Sequence, residues 1–238
     1  MRAKLRASLD WLRAKDLRLV ALLAVIGGLV FAFIKIGRAV SGNETSGFDE
    51  TILLALRDAP DDPIGPPSLT AAVMHISALG SGAVTGLIVL ITTLFFVVSK
   101  HYRYALLMIA CSLGTLAGMA LLKDFYERER PTVVTHIDPP GGHSFPSGHS
   151  MISAALYMTL AVLIARTLQT RRQRVFVVAM GATMMMLIGL TRLYLGVHYP
   201  TDVLAGWTAG LLWALVCGLL VERIGKRGTN DIPAPVED

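Results

Sequence analysis

Charge is scarce in this chain. Lys, Arg, Asp and Glu together make up 16% of its 238 residues, against 53% hydrophobic residues, and the mean hydropathy is +0.57. An ordinary soluble domain carries about 25% charged residues, so that class is excluded and an integral membrane protein is expected. Cysteine is scarcer still. Cys111 and Cys217 both fall within apolar runs, so no disulfide framework is implied. Neither a Cys-rich cluster nor an HExxH spacing appears, so the sequence implies no metal and no cofactor. Nor does a small-residue cleavage site follow the first apolar run, which is therefore expected to be a retained helix rather than a removable signal.

What the chain has in abundance is long apolar stretches. Six of them, at roughly 19–36, 80–98, 104–122, 150–166, 175–192 and 203–221, are rich enough in Leu, Val, Ala, Ile, Phe and Met to cross a bilayer as helices, with flanking residues completing the shorter ones. The fold class expected is all-α, a six-transmembrane-helix bundle at 19–221, preceded by a basic segment at 1–18 and followed by a tail at 222–238. The net charge of +5 does not point to nucleic acid, because 15 of the 22 Lys and Arg fall on one side of that topology. They are Arg2, Lys4, Arg6, Arg13, Lys15, Arg18, Lys100, Arg103, Arg166, Arg171, Arg172, Arg174, Arg223, Lys226 and Arg227. Basic residues mark the cytoplasmic side, so both termini are expected there, in a bacterial-type inner membrane.

The segment from about 38 to 79 is acidic by contrast. It carries Glu44, Asp49, Glu50, Asp58, Asp61 and Asp62, with Arg38 and Arg57 as its only Lys or Arg, and reads as an outer loop. Pro60, Pro63, Gly65, Pro66 and Pro67 mark turns in it, and 49–58 and 69–79 can each form a short interfacial helix. Gly114 with Gly118, and Gly206 with Gly210, have a spacing that lets helices approach closely. Packing within the bundle explains them better than dimerisation.

Three clusters carry chemistry: Lys123 with Arg130-Pro131, then Pro146-Ser147-Gly148-His149, then Arg192 with His198 and Asp202. Counted from a cytoplasmic N-terminus, all three fall at the outer face, an agreement the charge count did not require. Ionisable residues so close to a membrane usually serve a function. A transferring phosphoryl group needs fixed cations and N–H donors aimed at its oxygens. Lys123, Arg130 and Arg192 supply cations, the two Arg with a fork suited to bidentate binding. Ser147-Gly148-His149 opens the fourth apolar run. A helix start there offers free N–H groups, Gly148 allows close approach, and Ser147 can cap the helix or donate to phosphate. Asp202 lies four residues after His198, where it can hold one ring nitrogen and raise the nucleophilicity of the other. That favours His198 as nucleophile and leaves His149 as general acid.

Each element also has a plainer reading. Lys123 can snorkel to headgroups, Pro146 to His149 can be an ordinary loop-to-helix start, and Asp202 can simply favour the helix dipole. Order and spacing together argue against coincidence. Glu127, Arg128 and Glu129 read as a solvated helix face. His75, His101 and His136 show no recognisable partner, His143 is close enough to the second cluster to touch a headgroup, and Met184 to Met186 read as bundle packing.

These residues resemble the three signature motifs of the type 2 phosphatidic acid phosphatase superfamily, which also includes soluble acid phosphatases and vanadium haloperoxidases. The motifs fall at 123–131, 146–149 and 191–202, with Thr191 where the family usually has Ser. The resemblance implies a metal-independent membrane lipid phosphatase with His198 as nucleophile, His149 as acid, and Lys123, Arg130, Ser147, Gly148 and Arg192 around the phosphate. Its substrate would be a lipid phosphate or diphosphate such as undecaprenyl diphosphate, phosphatidylglycerol phosphate or phosphatidic acid. A lipid phosphotransferase using the same intermediate, and a non-catalytic anionic-lipid binder or transporter, are the alternatives. Oligomeric state is not readable from the sequence.

Overall fold

The computed structural model describes residues 2–138 and 141–225. Most of the tail expected at 222–238 lies outside the described residues. In chain order the elements are α1 (Arg2–Ser41), α2 (Ser46–Leu54), β1 (Arg57–Ala59), β2 (Asp62–Pro63), α3 (Pro67–Ala78), α4 (Gly82–Val98), α5 (Tyr102–Tyr126), α6 (Gly148–Thr167), α7 (Arg171–Tyr194) and α8 (Pro200–Gly225). The basic segment expected at 1–18 is not a separate element, because the helix runs unbroken from Arg2 to Ser41.

Among the described residues, five helices are each long and apolar enough to cross a membrane: Leu19–Ser41 within α1, then α5, α6, α7 and Pro200–Val221 within α8. The stretch expected at 80–98 falls short alone, since α4 has 17 residues and would span about 26 Å of a hydrocarbon core about 30 Å thick. It follows α3 across a 42° bend, and the pair taken together brings the number to six. Ser81 caps α4 by accepting from the Val84 amide at 3.4 Å, and Thr170 with Gln173 forms a capping box on α7, so these starts are fixed by side chains.

Burial ranks the helices. Half of the α6 span is buried, against 28% for α5 and α8, 22% for α7 and none of α1, so α6 is the central post. Gly206 and Gly210 let α8 lie against it: a Cβ on Gly206 would come within 2.6 Å of the Ser147 carbonyl, and one on Gly210 would strike the Met151 carbonyl. Small residues at such crossings let backbones meet where lipid removes the hydrophobic drive to associate. Trp213 and Trp207 add cross-helix hydrogen bonds to the carbonyls of Cys111 and Met185, both at 3.1 Å. The outward surface is greasy, with Leu23, Phe31, Phe95, Val98, Leu121 and Phe125 exposed, a surface suited to lipid rather than water.

One end of the bundle carries extra structure. There Gly37 near the end of α1 meets Tyr126 at the end of α5, and Gly80 just before α4 meets His149 at the start of α6. The short helix expected at 49–58 stops at Leu54, and the chain turns into the antiparallel pair β1–β2, with Arg57 opposite Pro63 and Ala59 opposite Asp62. Pro60 and Pro63 each lack an N–H donor, which favours a turn here over continued helix. Leu53, Val134, Leu193 and Val203 form a small core beneath this loop, and Ile64, Val73 and Ile137 pack on Tyr194, Leu195 and Val197. Lys100, Arg103, Arg166, Arg171, Arg172 and Arg174 lie at the other end.

Candidate active site

The looped end of the bundle gathers helix termini. Lys123 sits in the last turn of α5, His149 in the first turn of α6, Arg192 in the last turn of α7 and Asp202 in the first turn of α8. Such ends leave unpaired amides and carbonyls, and α6 and α8 direct their N-terminal dipoles here. Glu127 closes α5 in a left-handed conformation, φ 46°, its amide bonded to the Lys123 carbonyl at 3.0 Å. The helix therefore stops before Arg128.

His198 occupies the turn between α7 and α8 and is buried. Its Nδ1 lies 3.4 Å from Asp202 Oδ2, and its Nε2 lies 3.4 Å from Arg130 Nη1. Asp202 also accepts the Tyr199 amide at 2.9 Å, which fixes the carboxylate against the turn. Burial pulls the His198 pKa down to about 4, in spite of Asp202, with Arg130 and Arg192 adding like charge. The imidazole is thus neutral at neutral pH, with one nitrogen held and the other facing a cation.

The cations bond to neutral groups. Arg130 donates to the carbonyls of Gly142 at 3.0 Å, Gly141 at 3.0 Å, His143 at 3.3 Å and Val197 at 2.8 Å. Lys123 Nζ donates to the same His143 carbonyl, so the two cations converge. Arg192, 1% exposed, donates to Ser77 Oγ at 2.6 Å, and its Nε has no partner among the described residues. A buried guanidinium N–H left over is expensive unless an acceptor arrives. His149 and Arg192 line a cavity of about 470 Å³ together with His75, Ser77, Ser81 and Asp138.

Ser147 lacks the capping bond expected of it, and Gly148 meets a neighbouring helix. Ser147 is the N-cap residue of α6, but its side chain makes no capping bond; its hydroxyl accepts from Ser150 at 3.1 Å and its amide donates to the Asp202 carbonyl at 3.0 Å. Fully buried, Ser147 ties α6 to α8. At Gly148 an added Cβ would come within 2.6 Å of Met119 Sδ, so the Met119 side chain of α5 would have to shift to admit one. Thr191 bonds back to the Ile188 carbonyl at 2.6 Å, which spends its hydroxyl on its own helix.

Residues 101–226 match the PAP2 superfamily model. The chain belongs to the PAP2 superfamily. It is 31% identical over 188 residues to phosphatidylglycerophosphatase B of Bacillus subtilis, covering 77% of this chain and 88% of that protein. It is 31% identical over 218 residues to lipid A 1-phosphatase of Rhizobium etli, covering 74% and 88%. Among solved structures it resembles the transmembrane PAP2 type phosphatidylglycerolphosphate phosphatase from Bacillus subtilis, with a TM-score of 0.77 at 28% identity, covering 84% of this chain and 98% of that one.

Within this PAP2 site some residues escaped the sequence reading. Arg128 is no solvated helix residue. It bonds Asp49 at 2.8 Å and Asp202 at 2.6 Å, with both carboxylates fully buried, and its guanidinium lies 4.1 Å from the Tyr199 ring centroid. The reason is the left-handed stop at Glu127, which ends the helix on which Arg128 would have faced solvent. His75 lines the cavity, and His136 Nε2 lies 2.5 Å from the Pro131 carbonyl. Asp49, Ser77 and Asp138 belong to no motif, and nothing local marked them.

Proposed function

We propose that this PAP2 protein hydrolyses the phosphate or diphosphate headgroup of a lipid through a phosphohistidine on His198. The carrying observation is the orientation of that ring: Nδ1 toward Asp202 and Nε2 toward Arg130. Nε2 attacks the terminal phosphorus, forming an N–P bond as the P–O bond to the leaving group breaks (the lipid alcohol of a monoester, the lipid monophosphate of a diphosphate), and His149 gives its proton to the leaving oxygen. Water then attacks phosphorus, passes its proton to His149, and expels neutral His198 with release of phosphate. Lys123, Arg130 and Arg192 bind the equatorial oxygens, and the amides opening α6 at Gly148, beside Ser147, add their dipole. The guanidinium and ammonium donors now on carbonyls exchange those neutral acceptors for charged phosphate oxygens, which bind them more strongly. No step calls for a metal.

In the membrane we infer six spans, with α3 and α4 as one broken span. The basic ends at 100–103 and 166–174 then face the cytoplasm with both termini, and the site faces outward. Phosphatidylglycerophosphatase B and lipid A 1-phosphatase, the names of two relatives, support a lipid phosphate as substrate. The test is phosphate release by purified protein from phosphatidylglycerol phosphate, phosphatidic acid, undecaprenyl diphosphate and lipid A. At least one should be hydrolysed in the presence of chelator and inhibited by vanadate. Turnover of none, or turnover that chelator abolishes, overturns the reading; transfer of the phosphoryl group to an added acceptor lipid in place of release would make the protein a phosphotransferase.

A further inference from the structure

Two buried charges on the outer loop end on the segment that carries His198. Asp49 in α2 is fully buried. Its Oδ1 accepts the Thr201 amide at 3.0 Å, and its Oδ2 accepts the Thr201 hydroxyl at 2.7 Å and Arg128 Nη2 at 2.8 Å. Through Nη1, Arg128 donates to Thr201 Oγ1 at 2.8 Å and to Asp202 Oδ1 at 2.6 Å. The other oxygen of Asp202 is the one that faces His198. A continuous line of charge thus runs Asp49, Arg128, Asp202, His198.

The second charge acts at the opposite end of the turn. Arg57, 9% exposed, donates through Nη1 to the Tyr194 carbonyl at 2.8 Å and reaches the Thr135 carbonyl at 3.5 Å through Nη2. It also lies against Gly196, φ +73°, where an added Cβ would come within 2.6 Å of Arg57 Nη2. The loop therefore grips residues 194–202 on both sides of the histidine. Burying a carboxylate and two guanidinium groups costs heavily even where most donors are met, and here, among the described residues, Arg57 Nε is the one buried donor of these groups left without a partner. An outer loop that only joined two helices would have no need of such burial.

We propose that Asp49 and Arg57 are positioning residues, and that the outer loop braces the turn so that Asp202 holds His198 with Nδ1 protonated and Nε2 free. Arg128 is the coupling element. Shared between two carboxylates, it leaves Asp202 enough negative charge to orient the ring; with Asp49 neutral, Arg128 would bind Asp202 alone and weaken its hold. This inference rests on the function proposed above only for its kinetic arm.

The first arm is independent of substrate. Full-length protein labelled with ¹⁵N-histidine is studied by NMR in detergent, with the His198 signal identified by its loss in His198→Ala. The groups facing His198 are Asp202 on α8, Arg192 on α7, His149 on α6 and Arg130 on the intervening loop, and Asp49 acts through Arg128 and Asp202. Removing the negative charge of Asp49 disfavours the imidazolium. Asp49→Asn should therefore move the His198 titration to lower pH and mix its two neutral tautomers, with Asp49→Glu restoring part of both. An unchanged titration and tautomer would overturn the proposal. Thr201→Val, a gentler change that removes one hydroxyl of the bridge, should move both in the same direction by less.

The second arm is kinetic. On a substrate that the wild type hydrolyses, Asp49→Asn and Arg57→Ala should each slow phosphoenzyme formation about 10–100-fold, the range for residues that orient a functional group at one remove, with KM changed less than about twofold. A smaller burst amplitude with a normal rate constant would mean fewer folded molecules, and would overturn the positioning role. Failure of the wild type on every lipid phosphate would sink the function proposed above and leave the NMR result to decide the brace.

Discussion

Between 123 and 202, the guanidinium that meets the carboxylate of the 42–66 loop is satisfied differently from those that line the site. Arg128, under the loop, spends its guanidinium on Asp49, Asp202, Thr201 and Thr45. Arg130 has four carbonyls as partners, with His198 beside it, and Arg192 has one hydroxyl and an unused Nε. A guanidinium saturated by carboxylates has no capacity left for a ligand. One held by neutral acceptors can exchange them for an anion, because a pair of opposite charges adds Coulomb attraction that a guanidinium–carbonyl bond lacks. Arg128 and Arg130 stand two residues apart, so the acceptors alone separate the brace from the binding group.

The largest effect should come from removing the nucleophile. His198→Ala should cost on the order of a millionfold in turnover, as loss of a nucleophile acting in a concerted unit does, and should leave no acid-labile phosphate on rapidly quenched protein. A labelled phosphoenzyme that persists in this variant would show that the nucleophile lies elsewhere. His149→Ala should differ in kind: a nitrophenyl phosphate, whose leaving group needs little protonation, should lose far less rate than a lipid monoester.

Next come the guanidiniums, where the comparison can be broken. Arg130→Lys and Arg192→Lys should each lower kcat on the order of a hundredfold despite the retained charge, because the fork is lost. Arg128→Lys should also slow turnover, and it should lower the thermal midpoint in detergent more than either of the other two, since it uncouples two buried carboxylates. Equal melting temperatures across the three variants would erase the distinction drawn here. The smallest effect concerns the scaffold. Gly206→Ala places a methyl against the Ser147 carbonyl and Ser150, and should destabilise the bundle by about 1–3 kcal/mol, read as a lower midpoint with kcat per folded molecule little changed.

Apolar runs and motif spacing made most of this molecule legible beforehand. Five of the six expected stretches lie in helices long and apolar enough to span, and the sixth needed α3 because α4 is short. His149, His198, Asp202 and the three cations were readable because each sits at a fixed offset within a motif. Asp49 and Arg57 were not, since their roles depend on partners 152 and 137 residues away. Arg128 was misread because a left-handed residue ended its helix without a glycine to announce it. The contact of Gly148 with the Met119 sulfur of a neighbouring helix was not readable, since no motif links the two.

The position of Lys123, His149, Arg192 and Asp202 within one turn of a helix end has a consequence for length variation. Adding or deleting one residue inside α5, α6, α7 or α8 would rotate everything beyond it by about 100° and shift it by about 1.5 Å, turning a cation or a histidine away from its partners. The connection 168–170, at the other end of the bundle, carries no motif residue; a change of length there would cost the Thr170 cap of α7 but leave the chemistry in place. The four helices that carry the motifs are thus held to fixed residue counts by the geometry of their ends, and insertions are tolerable where the chain leaves the bilayer on the far side.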